Sequence, residues 1–180
     1  MSGILGVVLA GGLSSRFGTD KAEALYRGRT LLDWSVAHLK SVADAVVVAG
    51  RRHPAHGWVD DRPHDGLGPL GGIAGALALA AERGMDHVLS LPCDTPDVPH
   101  ALLVELCRHG EPAYVAGCPV IGLWPSKRAG ELEERLLRTG DRSLRGWAQS
   151  MDARPVGIGL EIANVNRIED LERLLKDDRP

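Results

Sequence analysis

Short aliphatic runs alternate with amphipathic segments along most of the chain, and this alternation narrows the possible folds more than any other feature. Residues 4–9, 45–49, 57–60, 87–91 and 113–117 form short apolar runs that mostly end at Gly or Pro, the pattern of strands. Their near-continuous apolar character suits strands covered on both faces. Between them, residues 30–43 space Leu31, Trp34, Ala37 and Val42 at roughly helical intervals, and residues 72–83 are rich in Ala and Leu, both strong helix formers. Pro99 is placed to open a helix over 99–108, and further helices are expected over 129–138, 143–150 and 168–176. The last puts Ile168, Leu171, Leu174 and Leu175 on one stripe, as a closing helix packed on a sheet requires. The alternation predicts an α/β protein, a Rossmann-like three-layer sandwich with a mostly parallel central sheet. No repeat, low-complexity tract or linker interrupts residues 1–180, so a single domain is expected.

Composition sets limits on function. Apolar residues make up 44% and charged residues 25% of the 180, close to the soluble globular average and far from that of disordered chains. Twenty-one Lys and Arg against 24 Asp and Glu give a net charge of −3, which argues against long nucleic acid as a partner and leaves room only for a local basic pocket. The first apolar run, 4–10, is too short for a secretory core and lacks a basic lead-in. No stretch approaches the roughly 18 apolar residues of a spanning helix. Cys93, Cys107 and Cys118 are odd in number and show no close paired spacing, which points to a reducing compartment. A cytoplasmic protein with no membrane partner is expected.

The unusual residues collect just after the expected strands, in segments 10–21, 51–54, 61–72 and 92–96. In an open α/β sheet that edge is where ligands bind. The run Leu9-Ala10-Gly11-Gly12-Leu13-Ser14-Ser15-Arg16-Phe17-Gly18-Thr19-Asp20-Lys21 is a Gly-rich loop carrying two cations. Gly11 and Gly12 let the backbone approach anionic oxygens, and Arg16 and Lys21 can neutralise phosphate charge. The spacing is neither GxxxxGK[ST] nor GxGxxG, so a phosphate-binding loop and a plain strand-to-helix turn both remain open. In Leu91-Pro92-Cys93-Asp94-Thr95-Pro96 a lone carboxylate follows a buried strand. Asp94 suits a Mg²⁺ ion shared with phosphate oxygens, or an Asx-turn with Thr95. Gly66-Leu67-Gly68-Pro69-Leu70-Gly71-Gly72 precedes a helix and could wrap a base or phosphate at its N-terminus, with Asp61 upstream. Asn166, before the final helix, either caps it or faces a ligand. His53 and His56 lack an evident third ligand for zinc, Cys93 has no neighbour that would make it a nucleophile, and the four Trp residues suit packing.

Taken together, these motifs resemble the nucleotidyltransferases of molybdenum cofactor biosynthesis, and among them the guanylyl-transferring members. The resemblance covers nearly the whole chain: Leu9-Ala10-Gly11-Gly12 with Ser14, Arg16, Gly18, Asp20 and Lys21, then Gly68-Pro69-Leu70 with Gly72, Pro92-Cys93-Asp94-Thr95-Pro96, and Asn164-Val165-Asn166. It implies a fold like that of the nucleotide-diphospho-sugar transferases. It also implies that Leu9, Ala10 and Gly11 contact the nucleotide, Lys21 its phosphates, Asp61 the nucleoside portion, and Asp94 both nucleotide and Mg²⁺. Gly12 and Gly68 join the expected nucleotide-binding set through the Gly-rich loops that carry them. Arg16, Lys21 and Asp94 are the expected catalytic residues, and Arg142, Arg145, Asn164 and Asn166 the candidates for the acceptor.

The implied reaction moves GMP from GTP to the phosphate of molybdopterin or Mo-molybdopterin, releasing pyrophosphate. Contacts with a molybdenum insertase and with cofactor-receiving apo-enzymes are implied as well. Two departures stand out: Ala49 where some members carry a nucleotide-contacting Asn, and Cys118-Pro119 where His-Pro is common. A cytidylyl-transferring relative, whose opening loop usually has Ala at the position of Gly11, and a non-catalytic adaptor that delivers the cofactor are the alternatives. Gly11 and the Asp20-Lys21 pair favour guanine.

Overall fold

The computed structural model describes residues 3–11, 20–53, 55–157 and 162–177. Nine strands are found among them: β1 (Ile4–Leu9), β2 (Leu25–Tyr26), β3 (Arg29–Thr30), β4 (Ala45–Ala49), β5 (Gly57–Val59), β6 (His87–Pro92), β7 (Ala113–Val115), β8 (Cys118–Pro125) and β9 (Arg154–Val156). Six α-helices accompany them: α1 (Leu31–Lys40), α2 (Pro69–Glu82), α3 (His100–Cys107), α4 (Ala129–Thr139), α5 (Leu144–Ser150) and α6 (Ile168–Asp177). Seven strands form one sheet in the order β5-β4-β1-β6-β8-β7-β9, with β2 and β3 a separate hairpin. Neighbours pair in parallel except where β8 runs against β6 and β7. The expected three-layer α/β architecture is the one observed.

Side chains alternate across this sheet. Leu5 and Val7 of β1, with Val47 and Val88, face a cluster completed by Leu70, Ile73 and Leu77 of α2, Leu132 of α4 and Trp147 of α5. Val8, Val48, Leu89 and Leu91 face the opposite side, onto Leu32, Val36 and Leu39 of α1 and Leu102, Leu103 and Leu106 of α3. Burial on both faces is why these strands read as continuous apolar runs rather than alternating ones. No helix among the described residues is long and apolar enough to cross a membrane.

The differences from expectation have local causes. α2 starts at Pro69, not residue 72, because Gly68 adopts φ 67 as N-cap and Pro69 follows it as the first helical residue. α1 starts one residue later than expected because the Thr30 hydroxyl caps it, accepting from Asp33 N at 3.0 Å. β7 stops at Val115, two residues short, where the chain turns into β8. β8 is the large omission. Its prolines, Pro119 and Pro125, and its Gly122 read as breakers, yet the ladder to β6 spans only Gly122 to Pro125. Pro119 lies beyond that ladder and Pro125 sits at its end, so neither interrupts it. β9 and the β2–β3 hairpin are too short for any period to show.

One buried polar group ties β6 to β8. Ser90 Oγ donates to Val120 O at 2.7 Å and accepts from Trp124 Nε1 at 2.8 Å, with Trp124 fully buried. Ser90→Ala leaves the indole N–H without a partner in the core and is expected to cost about 1–3 kcal/mol, read as a lower midpoint in urea unfolding; an unchanged midpoint would count against this role.

Candidate active site

Strand order reverses at the boundary between β1 and β6. From β1 the sheet extends through β4 to β5 on one side, and β6 lies on the other. The chain leaving β1 goes on to β4 and the chain leaving β6 to β7, toward opposite edges of the sheet, and a crevice opens beyond their carboxyl ends. An open cleft of about 990 Å³ occupies this place, lined by Leu9, Ala10, Gly11 and Lys21 from the first loop, Asp61 and Gly68 from the loop before α2, and Cys93, Asp94 and Asn164.

The loop after β6 is held at nearly every backbone position. Cys93 N donates to Leu9 O at 3.1 Å, and Pro92 O accepts from the hydroxyls of Ser35 at 3.1 Å and Thr95 at 3.2 Å. His38 Nε2 donates to Pro96 O at 2.6 Å, and Val165 N donates to Asp94 O at 2.9 Å. These bonds aim the Asp94 carboxylate at the first loop, where Lys21 Nζ donates to Asp94 Oδ2 at 2.8 Å. Both side chains are largely buried. The Asx-turn alternative is not what forms, because Asp94 Oδ2 takes Lys21 and Oδ1 takes no backbone amide of the described residues. Asp94 Oδ1 is buried and accepts no hydrogen bond from any described residue. A buried carboxylate oxygen left unpaired is costly, and it is a hard donor suited to a divalent cation that completes its shell with phosphate oxygens.

A C-terminal strap closes this side of the cleft. Val165 is buried with Tyr26 and Leu31, and Lys21 Nζ donates to Asn166 Oδ1 at 3.2 Å. The N-terminus of α6 is served instead by Asp170, whose Oδ2 accepts from the amides of Asn166 and Arg167, both at 2.9 Å. Of the two roles open to Asn166, its side chain takes the one facing the site.

Glycine is obligatory on the opposite wall for reasons of packing. A Cβ on Gly11 would lie 2.9 Å from Gly50 Cα, closer than carbon atoms approach, and Gly50 has φ 84. The loops after β1 and β4 thus touch backbone to backbone, so Gly11 is required here whatever nucleotide is bound. A Cβ on Gly72 would lie 2.9 Å from the Ala49 Cβ, and Ala49 is buried against α2. Position 49 therefore packs under the helix and offers no polar group to a ligand. Asp61 sits against Gly71; burial raises its pKa above the ordinary carboxylate value, while the nearby backbone amides of Leu67 and Gly66 oppose the shift.

The structure gathers Leu9, Ala10, Gly11, Lys21, Asp61, Gly68, Asp94 and Asn164 at one cleft, with Asn166 behind Lys21. Gly12, Ser14, Arg16 and Gly18 lie outside the described residues. Arg142 donates to Gly66 O at 3.0 Å, which ties it to the loop before α2. Arg145 is exposed, next to the cleft-lining Leu144. Sequence inspection gives no individual role to Ser35, His38 or Arg51. The first two lie on α1, far in sequence from the loop they hold, and Arg51 is visible only as part of a basic loop. Burial, reinforced by Asp94, pushes the Cys93 thiol up to about 12, so it carries no thiolate chemistry at neutral pH. His53 and His56 stack with ring centroids 4.9 Å apart.

Comparison with known proteins gives this cleft a context. Residues 6–155 match the MobA-like NTP transferase domain. A molybdenum cofactor guanylyltransferase of Acidiphilium cryptum (strain JF-5) is 32% identical over 183 residues, covering 92% of this chain and 91% of the relative. Molybdopterin-guanine dinucleotide biosynthesis protein A from Archaeoglobus fulgidus has a similar structure, with a TM-score of 0.77 at 21% identity over 96% of this chain and 97% of that one. The 2-C-methyl-D-erythritol 4-phosphate cytidylyltransferase of Thermus thermophilus reaches 0.68 at 19% identity over 96% and 97%. These structural likenesses establish the fold.

Burial of Asp61 has a measurable sign. A carboxyl whose folded pKa is raised costs no stability below its unfolded pKa of about 3.9, costs progressively more as pH rises from there to the folded value, and levels off above it. Asp61→Asn removes that dependence. Its urea midpoint relative to the parent chain is expected to climb between pH 4 and pH 7; parallel midpoints across that range would contradict the assignment.

Proposed function

The chain belongs to the MobA-like NTP transferase family, and from that premise we propose that it transfers GMP from GTP to the terminal phosphate of molybdopterin or its molybdenum-loaded form. An acceptor phosphate oxygen attacks the α-phosphorus, a new phosphoanhydride bond forms, and the α–β bridging bond breaks with its electron pair leaving on pyrophosphate. Molybdopterin guanine dinucleotide is the product. The observation that carries this proposal is the Lys21–Asp94 pair at the switch point, with Asp94 Oδ1 unpartnered beside it.

No covalent enzyme intermediate is required, because phosphoryl-type transfer depends mainly on alignment and charge neutralisation. When bound, Mg²⁺ supplies Lewis-acid neutralisation of phosphate oxygens, and Asp94 is the residue that would hold it. The Lys21 ammonium, held at the same place by Asp94 and Asn166, would turn to the triphosphate. Arg16 adds a second cation in this proposal. Leu9, Ala10 and Gly11 supply a backbone surface that a nucleotide can approach closely, and Asp61 and Gly68 offer contacts to the nucleoside. Arg142, held on the Gly66 carbonyl, supports the nucleotide side of the cleft, so Asn164 is the better placed acceptor contact and Arg145 a peripheral one.

Gly50 already demands glycine at position 11 on packing grounds, so Gly11 by itself does not argue for guanine over cytosine. The preference for GTP rests on the guanylyltransferase relative. The free thiols of Cys93, Cys107 and Cys118 fit a reducing compartment such as the cytoplasm. Hand-over to cofactor-receiving apo-enzymes, with contact to a molybdenum insertase, belongs to the same proposal.

Pyrophosphate release with molybdopterin tests this directly, comparing GTP, CTP and ATP with and without Mg²⁺. Release with GTP and Mg²⁺ is expected, with Asp94→Ala and Lys21→Ala each lowering turnover on the order of 10²-fold or more while far-UV circular dichroism stays unchanged. Faster release with CTP would reassign the nucleotide, and binding of GTP without release from any nucleotide would favour the adaptor.

A further inference from the structure

We infer that Arg51 is a positioning residue for Lys21, acting as a two-pronged clamp on the single turn that carries it. Arg51 follows closely on the last residue of β4, and its two terminal nitrogens go to different carboxylates: Nη1 to Asp20 Oδ2 at 2.7 Å and Nη2 to Glu23 Oε1 at 3.1 Å. Those carboxylates bracket the 3₁₀ turn Lys21–Glu23. Asp20 has a second hold on the same turn, since its Oδ1 accepts from Ala22 N at 3.1 Å. One guanidinium therefore grips both ends of the turn whose side chain enters the cleft. The inference deepens the proposed nucleotidyl transfer and, for its kinetic arm, rests on it.

The clamp has a firm base. Ala10 N donates to Ala49 O at 3.0 Å, and the Gly11 and Gly50 backbones are in contact immediately before Arg51. Arg51 thus joins the Lys21 turn to the β1–β4 edge, while Asp94 and Asn166 hold the tip of the Lys21 side chain from the other wall. Within the turn, the amides of Glu23 and Ala24 bond back to Asp20 O and Lys21 O, both at 3.1 Å. A turn this short has little rigidity of its own. The Arg51 side chain is 27% exposed, against 51% for Asp20 and 54% for Glu23. Ion pairs this exposed add little to global stability, so the consequence is geometric: without the fork, the root of Lys21 is free to shift, and a displacement of about 1 Å near reacting groups can cost a hundredfold in rate. A lysine at 51 keeps the charge but cannot reproduce a planar fork to two carboxylates.

The test is a double-mutant cycle on pyrophosphate release from GTP, using Arg51→Ala, Lys21→Ala and the double variant, with Arg51→Lys as the conservative control. Expected are a loss of about tenfold or more in kcat/KM for Arg51→Ala in the parent background, a partial recovery in Arg51→Lys, and a change within about twofold when Arg51→Ala is added to Lys21→Ala. Equal losses in both backgrounds would mean that Arg51 acts on substrate itself and would overturn the inference, as would full activity in Arg51→Ala. Amide hydrogen exchange gives a readout that needs no reaction: in Arg51→Ala the amides of Ala22, Glu23 and Ala24 should exchange faster while those of β6 do not change. Unaltered exchange in the turn would overturn the clamp. A parent protein that releases no pyrophosphate would refute the proposed transfer while leaving the exchange experiment decisive for Arg51.

Discussion

β1 hydrogen-bonds to β4 on one side and to β6 on the other, all three in parallel, and the site depends on that branching. Parallel strands require long crossovers that return across a face of the sheet. The chain leaving β1 goes to β4 and the chain leaving β6 to β7, toward opposite edges of the sheet, so their first residues part rather than close over one another. The cleft is the space this topology leaves, and it places two loops from distant parts of the sequence face to face. Apolar residues on both sheet faces keep the strands in register, since a slip of one residue would turn Leu5 and Val7 from one helical layer to the other.

Within this frame, charges are held by backbone rather than by one another alone. Asp94 is aimed by a loop fixed through Ser35, Thr95, His38 and Val165, and Lys21 meets it at 2.8 Å. Sheltering such a pair from water strengthens its attraction and also raises the cost of any group left unmatched. Asp94 Oδ1 is such a group, and Asp61, with its raised pKa, is a second carboxyl kept where burial penalises its charge. Both lie on the cleft. Polar groups that weaken the fold at a crevice between loops are what a site for a charged ligand requires; in the proposed complex the cation would pair with Asp94 and the nucleoside with Asp61.

The central strands and the place of the site are legible in the sequence because they depend on local pattern. Buried parallel strands are runs of Val, Leu and Ala, and their carboxyl ends mark the ligand edge. β8 is hidden because its prolines fall outside the ladder with β6 or at its end, so residues that normally stop a strand do no harm. Long-range choices are hidden for a different reason. Asn166 has a nearby helix to cap, yet Asp170 caps it and frees the amide for Lys21. Arg142 has the look of a surface arginine at a helix start and instead bonds Gly66 O. Gly11 invites a ligand-based explanation, whereas Gly50 already requires it. Each depends on a partner distant in sequence or on a competing side chain that no local period encodes.

In the proposed reaction, Lys21 and Asp94 are the two halves of one phosphate-and-metal site at the β1–β6 switch point. A crystal structure of the chain with GTP and Mg²⁺ bears on it most directly. The predicted result is a triphosphate against Gly11, with Lys21 Nζ moved from its 2.8 Å contact with Asp94 onto phosphate oxygen and the Asp94 carboxylate on the metal. A nucleotide bound elsewhere, with the Lys21–Asp94 pair intact, would contradict it.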